Sequence, residues 1–288
     1  MGVSTKIEWC HHTWSPWHGC TRVSPGCQHC YAERLSIRNP DVLGQWGPKG
    51  TRVVSKSWSK PIVWSRSARK SGERRRIFPS LCDWLEDRPE LVEPREFFAA
   101  TIEASANLDW LLLTKRPGNI GLADDAFGWD TRAHGLPPNV WHGTSVEDQE
   151  RAASRLDDLL KSRSIFHWVS AEPLLGPLNL APWMGIIHED QIGASNPDQT
   201  YIFQDPWMAG IDWVVIGGES GPNARPCDLS WVRSIIEQCQ LDRVSVYVKQ
   251  LGSNPTEGGK RVPGIRDPKG GDINEWPIDL RIREMPNL

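Results

Sequence analysis

Apolar residues come in short unbroken runs along this chain, and each run stops at a cluster of polar residues. Asp109-Trp-Leu-Leu-Leu-Thr, Val140-Trp-His-Gly-Thr, Ile165-Phe-His-Trp-Val-Ser, Asp212-Trp-Val-Val-Ile and Val244-Ser-Val-Tyr-Val are the clearest. Runs of this length without alternation predict parallel strands covered on both faces. Arg76-Ile-Phe-Pro-Ser-Leu reads as a further short strand, and residues 6–14, which alternate loosely, as the first. Between the runs the period changes to that of a helix. Phe97, Phe98, Ile102 and Ala106 share one face of a helix predicted over 94–107, with Pro94 in its first turn. Ala152, Leu156, Leu159 and Leu160 mark a second helix, with Ser145 as its expected N-cap and Asp148 at the capping-box position. Val232, Ile235, Ile236 and Cys239 mark a third.

Strands alternating with helices specify a parallel α/β architecture. Six or seven strands fall short of the eight of a closed barrel, so the expected fold is a partial (β/α) barrel. It is expected to occupy residues 1–251, with insertions at about 40–76 and 181–211. Residues 252–288, rich in Gly, Pro and charge, should form an irregular wrap or lid.

In such folds ligands bind at the carboxyl ends of the strands. The residues just after each apolar run therefore converge: Thr114, Lys115 and Arg116; Ser145 and Glu147; Ser170 and Glu172; Gly217, Gly218, Glu219 and Ser220; Lys249 and Gln250. Glu172 and Glu219 stand out, because an ionised carboxylate beside a buried strand is costly unless a cation or hydrogen-bond donor meets it. Gly217 and Gly218 leave room for close backbone approach by a ligand.

Near the N-terminus, Cys20, Cys27 and Cys30 follow a C-x6-C-x2-C spacing, with Pro25-Gly26 supplying a turn. Three thiolates can hold an iron–sulfur cluster with one iron open. A zinc would be completed by His11, His12, His18 or His29, and the thiols could also be unliganded. Cys10, only ten residues before Cys20, is a candidate fourth thiolate. The helix-forming residues after Cys30 put Cys27 and Cys30 where a loop enters a helix, whose dipole favours thiolate. Trp9, Trp14 and Trp17, among sixteen tryptophans, are expected to crowd this loop and exclude water.

Lys-Ile-Glu-Trp, then Thr13-Trp14-Ser-Pro-Trp-His-Gly19-Cys20 and Ser24-Pro25-Gly26-Cys27-Gln-His-Cys30-Tyr31-Ala32-Glu33, resemble the signature of the phage- and prophage-encoded three-Cys-motif family, which is radical-SAM-like. The resemblance continues through Leu113-Thr-Lys-Arg-Pro117, Ser170-Ala-Glu-Pro-Leu-Leu-Gly176 and Ile216-Gly-Gly-Glu-Ser-Gly-Pro222. It implies a [4Fe–4S] cluster on Cys20, Cys27 and Cys30 that cleaves S-adenosylmethionine, with the product radical taking hydrogen from a substrate. Under it, Glu219 with Gly217 and Gly218 would accept the methionine ammonium, and Tyr31, Thr114, Ser170 and Ser220 would line the cofactor. Glu172, Lys115 and Lys249 would be catalytic, with Lys115, Arg116 and Lys249 facing an anionic group. A one-electron reductant would be a partner.

Composition narrows the setting. Seven cysteines, an odd number without a secretory signal, argue for reduced thiols, and no apolar run reaches membrane-spanning length, so a cytoplasmic location is expected. A net charge of −3 gives no global reason to bind nucleic acid. Locally, residues 49–76 carry ten basic side chains against Glu73, a solvated excursion or a phosphate-contacting surface; with the phage setting that the resemblance implies, it points first to a nucleotide or nucleic-acid base as substrate, while a peptide fits the core equally. The rival class is a zinc-stabilised nucleic-acid-binding protein without catalysis.

Overall fold

The computed structural model describes residue 5, residues 7–184 and residues 210–286. Seven strands lie side by side in chain order and every pairing between them is parallel. They are β1 (His12–Thr13), β2 (Arg75–Phe78), β3 (Leu108–Thr114), β4 (Val140–Ser145), β5 (His167–Ala171), β6 (Trp213–Gly217) and β7 (Ser245–Gln250). The sheet curls into a half-barrel whose edges, β1 and β7, do not meet. Among the described residues six helices of seven or more residues accompany it: α1 (Tyr31–Arg38), α2 (Ser59–Ser71), α3 (Val92–Glu103), α4 (Gly121–Phe127), α5 (Gln149–Leu160) and α6 (Leu229–Leu241).

Strand side chains alternate between two faces, so each apolar run serves two cores. Trp110 and Leu112 of β3 face outward onto Trp64 and Ala68 of α2 and Phe98 and Ile102 of α3. Val169, Val214, Ile216, Val246 and Val248 face outward onto α5 and α6. The inward face carries Leu111, Trp141, Trp168, Trp213, Val215 and Tyr247, joined by Trp9, Cys10 and Phe78. Large rings thus fill the lumen. Gly143 of β4 makes this possible, because a Cβ there would stand 2.4 Å from the Trp168 indole nitrogen.

Several boundaries differ from the sequence expectation. The first strand shrinks to His12–Thr13, since only these residues pair with Ile77 and Phe78. Ser145 does not cap α5: it completes the ladder opposite Ser170, and Asp148 is the N-cap, its carboxylate accepting from the Arg151 amide at 3.0 Å. The helix expected over 94–107 runs over Val92–Glu103 instead. Of the insertion expected at 181–211, Ala181–Met184 is a short helix, and residues 185–209 lie outside the described residues. Part of the tail lies along the sheet edge. Val248 donates its amide to the Ile282 carbonyl and Glu284 donates to Val246, both at 2.9 Å, so residues 282–284 cover the free edge of β7. Among the described residues no helix is long and apolar enough to cross a membrane.

Candidate active site at the strand ends

The cysteine loop lies across the carboxyl rim of the half-barrel and is tied to the segments that follow four of its strands. Tyr31 donates its hydroxyl to the Ser80 carbonyl, beyond β2, at 2.8 Å. Arg116, beyond β3, donates to the Thr21 carbonyl at 2.6 Å and to the Cys20 sulfur at 3.6 Å. Glu147, beyond β4, accepts the Gly26 amide at 3.2 Å. Glu219, beyond β6, meets His29 at 2.9 Å. These contacts cross 49, 95, 121 and 190 residues of sequence respectively.

Cys27 sits in a single 3-10 turn, Pro25–Cys27, and Cys30 is the N-cap of α1. The Cys30 side chain makes no capping hydrogen bond, though the nearby amides of Glu33 and Ala32 at the helix start favour its thiolate. Burial outweighs them and raises the Cys30 thiol, and burial with Asp83 and Glu86 pushes Cys20 up to about 12. Cys20 also donates to the Thr21 carbonyl at 3.4 Å. As the side chains stand, no three His, Cys, Asp or Glu among the described residues are gathered closely enough to hold a metal ion. The cysteines share one loop at the rim, but their sulfurs are not an assembled ligand set.

The histidines weighed as zinc ligands have other partners. The His11 Nδ1 accepts the Arg76 amide at 2.9 Å, His12 stacks on Trp64 with centroids 4.3 Å apart, and His18 meets the Val42 carbonyl at 3.3 Å. Cys10 belongs to the lumen core, where burial pushes its thiol up to about 12. The three tryptophans expected around the loop are spread apart. Trp9 lies in the lumen, Trp14 among Trp58, Phe98 and Trp110, and Trp17 under Arg95.

Four predicted residues do converge on the inward face of the rim. Lys249 bonds the Glu172 carboxylate at 2.8 Å, Ser170 donates to its other oxygen at 3.2 Å, and Gly217 leaves the space that Glu172 fills. Lys115 stands near enough to Cys30 and Glu147 to act on the charge of both. Other expectations change. The paired glycines do not open a ligand path: a Cβ at Gly217 would meet Glu172 at 2.3 Å, and one at Gly218 the Leu251 carbonyl at 2.3 Å. Thr114 donates to Asp83 at 2.6 Å, the Ser220 carbonyl accepts from Arg34 at 3.0 Å, and Gln250 donates to the Gly218 carbonyl at 3.0 Å.

Glu219 is a clamp. Burial would raise its carboxyl, but Arg225, through its backbone and guanidinium, and His29 overcome that and bring it down to about 2. Arg225 also donates to the Pro25 carbonyl at 3.0 Å, so the pair fastens the 219–225 loop to the cysteine turn. Glu147 is the matching clamp on the other side, fully buried and paired with Arg155 at 2.9 Å. Sequence reasoning missed Arg225, Arg155 and Asp83. Asp83 is the hub beside Cys20, accepting from Thr114, from the Lys115 amide and from Arg116.

Within the basic stretch 49–76, Arg52 is buried against Glu86 at 2.7 Å and Arg74 pairs with Asp109. Lys60, Arg66, Arg69 and Lys70 of α2 are exposed. Beside the cysteine loop, a cleft of about 480 Å³ is lined by Thr21, Val23, Arg88, Arg116 and Asn119 among others.

Fold and rim together define an α/β half-barrel protein that carries a cysteine loop over the carboxyl ends of its strands. By sequence it belongs to the family described as protein of unknown function (DUF5131), which it matches over residues 4–275. No curated protein and no solved structure matches it.

Proposed function

We propose that this chain is a radical S-adenosylmethionine enzyme acting on a substrate that it meets at its open rim. One observation carries the reading: the loop bearing Cys20, Cys27 and Cys30 is fastened by Ser80, Arg116, Glu147 and Glu219 onto the rim where α/β folds bind ligands. Cys20, Cys27 and Cys30 would hold a [4Fe–4S] cluster, which when bound supplies one-electron reduction of the sulfonium. Holding it requires Cys20 to leave the Thr21 carbonyl and all three thiols to lose their protons.

The protein's own residues would divide the remaining work. Lys115 places a positive charge beside Cys30 and is suited to an anionic cofactor or substrate group. Glu172 and Lys249, at the inner rim, offer an acceptor and a donor side by side, with Ser170 fixing the carboxylate. The aromatic plug beneath them closes the lumen to water and to substrate. Chemistry is therefore confined to the surface of the rim, which suits an extended substrate over one swallowed whole. Exposed cations on α2 favour a nucleotide or nucleic-acid base. A one-electron reductant is the required partner, and seven free cysteines suit the reducing cytoplasm.

The test is anaerobic reconstitution with iron and sulfide, followed by reduction in the presence of S-adenosylmethionine. Formation of 5′-deoxyadenosine that Cys30→Ala abolishes is expected. A protein that binds one zinc, forms no 5′-deoxyadenosine and only loses stability on Cys30→Ala would be the rival zinc-stabilised binding protein.

A further inference from the structure

The lumen of the half-barrel is filled by rings in contact. Between ring centroids, Trp9 lies 5.6 Å from Trp168 and 6.0 Å from Trp213, and Trp168 lies 5.6 Å from Trp213. Trp141 reaches Trp213 at 6.3 Å, and Trp213 meets Tyr247 at 6.2 Å. Trp213 is the hub through which the other indoles reach the phenol. Electronic coupling falls steeply with the gap between two groups, so rings in contact exchange an electron hole far faster than rings parted by aliphatic packing.

The protons of these rings are handled in two different ways. The indole N–H groups of Trp9 and Trp141 have no hydrogen-bond partner among the described residues. Trp168 and Trp213 donate to the backbone carbonyls of Trp141 and Glu284, at 3.0 and 3.1 Å. An amide carbonyl is too weak a base to take an indole proton. An oxidised indole here stays a cation, and its hole stays mobile. Tyr247 is arranged differently: its hydroxyl donates to the Glu8 carboxylate at 3.3 Å, a base that can accept a proton. The Arg283 guanidinium lies over the same ring at 5.6 Å, which disfavours a tyrosyl cation and favours loss of the proton with the electron. The Glu8 carboxylate also pairs with Arg283 at 2.7 Å, and its side chain is 52% exposed, so a proton it accepts has a way out to solvent.

We infer that the lumen indoles form a hole relay ending at Tyr247, a redox function separate from the rim chemistry and independent of any metal there. A one-electron outer-sphere oxidant of the metal-complex class, such as a ruthenium(III) polypyridyl, takes an electron from an indole and is itself reduced to ruthenium(II). Tyr247 refills that hole through Trp213, while its phenolic proton passes to the Glu8 carboxylate. The products are a neutral tyrosyl radical and a protonated Glu8. One electron from a thiol-class reductant and the return of that proton reset the pair. Such a relay would draw stray oxidising equivalents away from the strand ends.

The relay is tested by laser flash-quench oxidation with a ruthenium(II) polypyridyl and an external electron acceptor, followed by transient absorption and rapid-freeze electron paramagnetic resonance. The chain has three tyrosines, and Tyr31→Phe with Tyr201→Phe leaves Tyr247 as the single phenol. In that background a neutral tyrosyl radical should form, and Tyr247→Phe should remove it and leave a tryptophan radical. Glu8→Gln, checked for an unchanged far-ultraviolet circular dichroism spectrum because Glu8 also pairs with Arg283, should also lose the tyrosyl signal and lengthen the life of the tryptophan radical cation. An undiminished tyrosyl signal in Glu8→Gln would overturn Glu8 as the acceptor. No tyrosyl radical in the Tyr247-only protein, with tryptophan radicals decaying unchanged in Tyr247→Phe, would overturn the relay.

Discussion

Two buried histidines and one aspartate give single residues a measurable voice in stability. Burial, helped for His142 by its neighbour His167, lowers the two imidazoles to about 3 and about 4 from an ordinary 6.5. Their folded values lie below the unfolded one, so their contribution is complete above about pH 6.5 and is lost as pH falls and the unfolded chain takes protons first. Asp212 acts oppositely. Burial raises it to about 6 from 3.8, so acid protonates the folded form first and adds stability as pH falls between those values. The histidines outweigh it, two groups against one. His142→Asn should reduce the acid loss by roughly 1.4 kcal/mol per pH unit between about pH 6 and 4, read from urea midpoints. Parallel pH profiles would contradict the assignment. Gly143→Ala is a second residue-scale test. Its Cβ would collide with the Trp168 indole at 2.4 Å, so a loss of about 1–3 kcal/mol is expected in thermal or urea unfolding, and a neutral result would mean that the rings can shift.

At the scale of elements, the strands were legible in the sequence and the site's fastenings were not. Asp109-Trp-Leu-Leu-Leu-Thr and its four counterparts read as strands because a parallel strand with a core on each face must be apolar throughout. The placing of Glu172, Lys249 and the cysteine loop at the strand ends followed from that. Ser145 misled, because a strand ending in Ser and a helix cap look alike until the ladder partner Ser170 is known. The partners of Glu219 and Glu147 left no periodic signal, since Arg225 and Arg155 meet them through loop and helix geometry. Only the cost of a buried carboxylate announced that some cation had to be there. Arg225→Ala tests the clamp. It leaves Glu219 buried without its main partner and frees the Pro25 carbonyl, so about 3–5 kcal/mol should be lost. Amides of residues 26–30 should then exchange hydrogen faster than those of α6. Unchanged exchange in the cysteine turn would show that the other anchors suffice.

For the whole molecule, an open half-barrel must deal with two sheet edges, and an uncovered strand edge invites pairing with another chain. The short β1 presents little, and residues 282–284 cover β7 while Arg283 pairs with Glu8 at 2.7 Å. Deleting residues 281–288 should therefore yield a protein that self-associates in light scattering, and a monodisperse species of unchanged mass would contradict that role. The same openness leaves the cysteine loop, Lys115, Glu172 and Lys249 together at the rim, where the proposed function puts the ligand. The most direct measurement is an anaerobic iron, sulfide and zinc analysis of the reconstituted chain beside its Cys30→Ala variant. About four irons and four sulfides per chain, lost in the variant, are predicted. One zinc per chain with no sulfide would contradict the account.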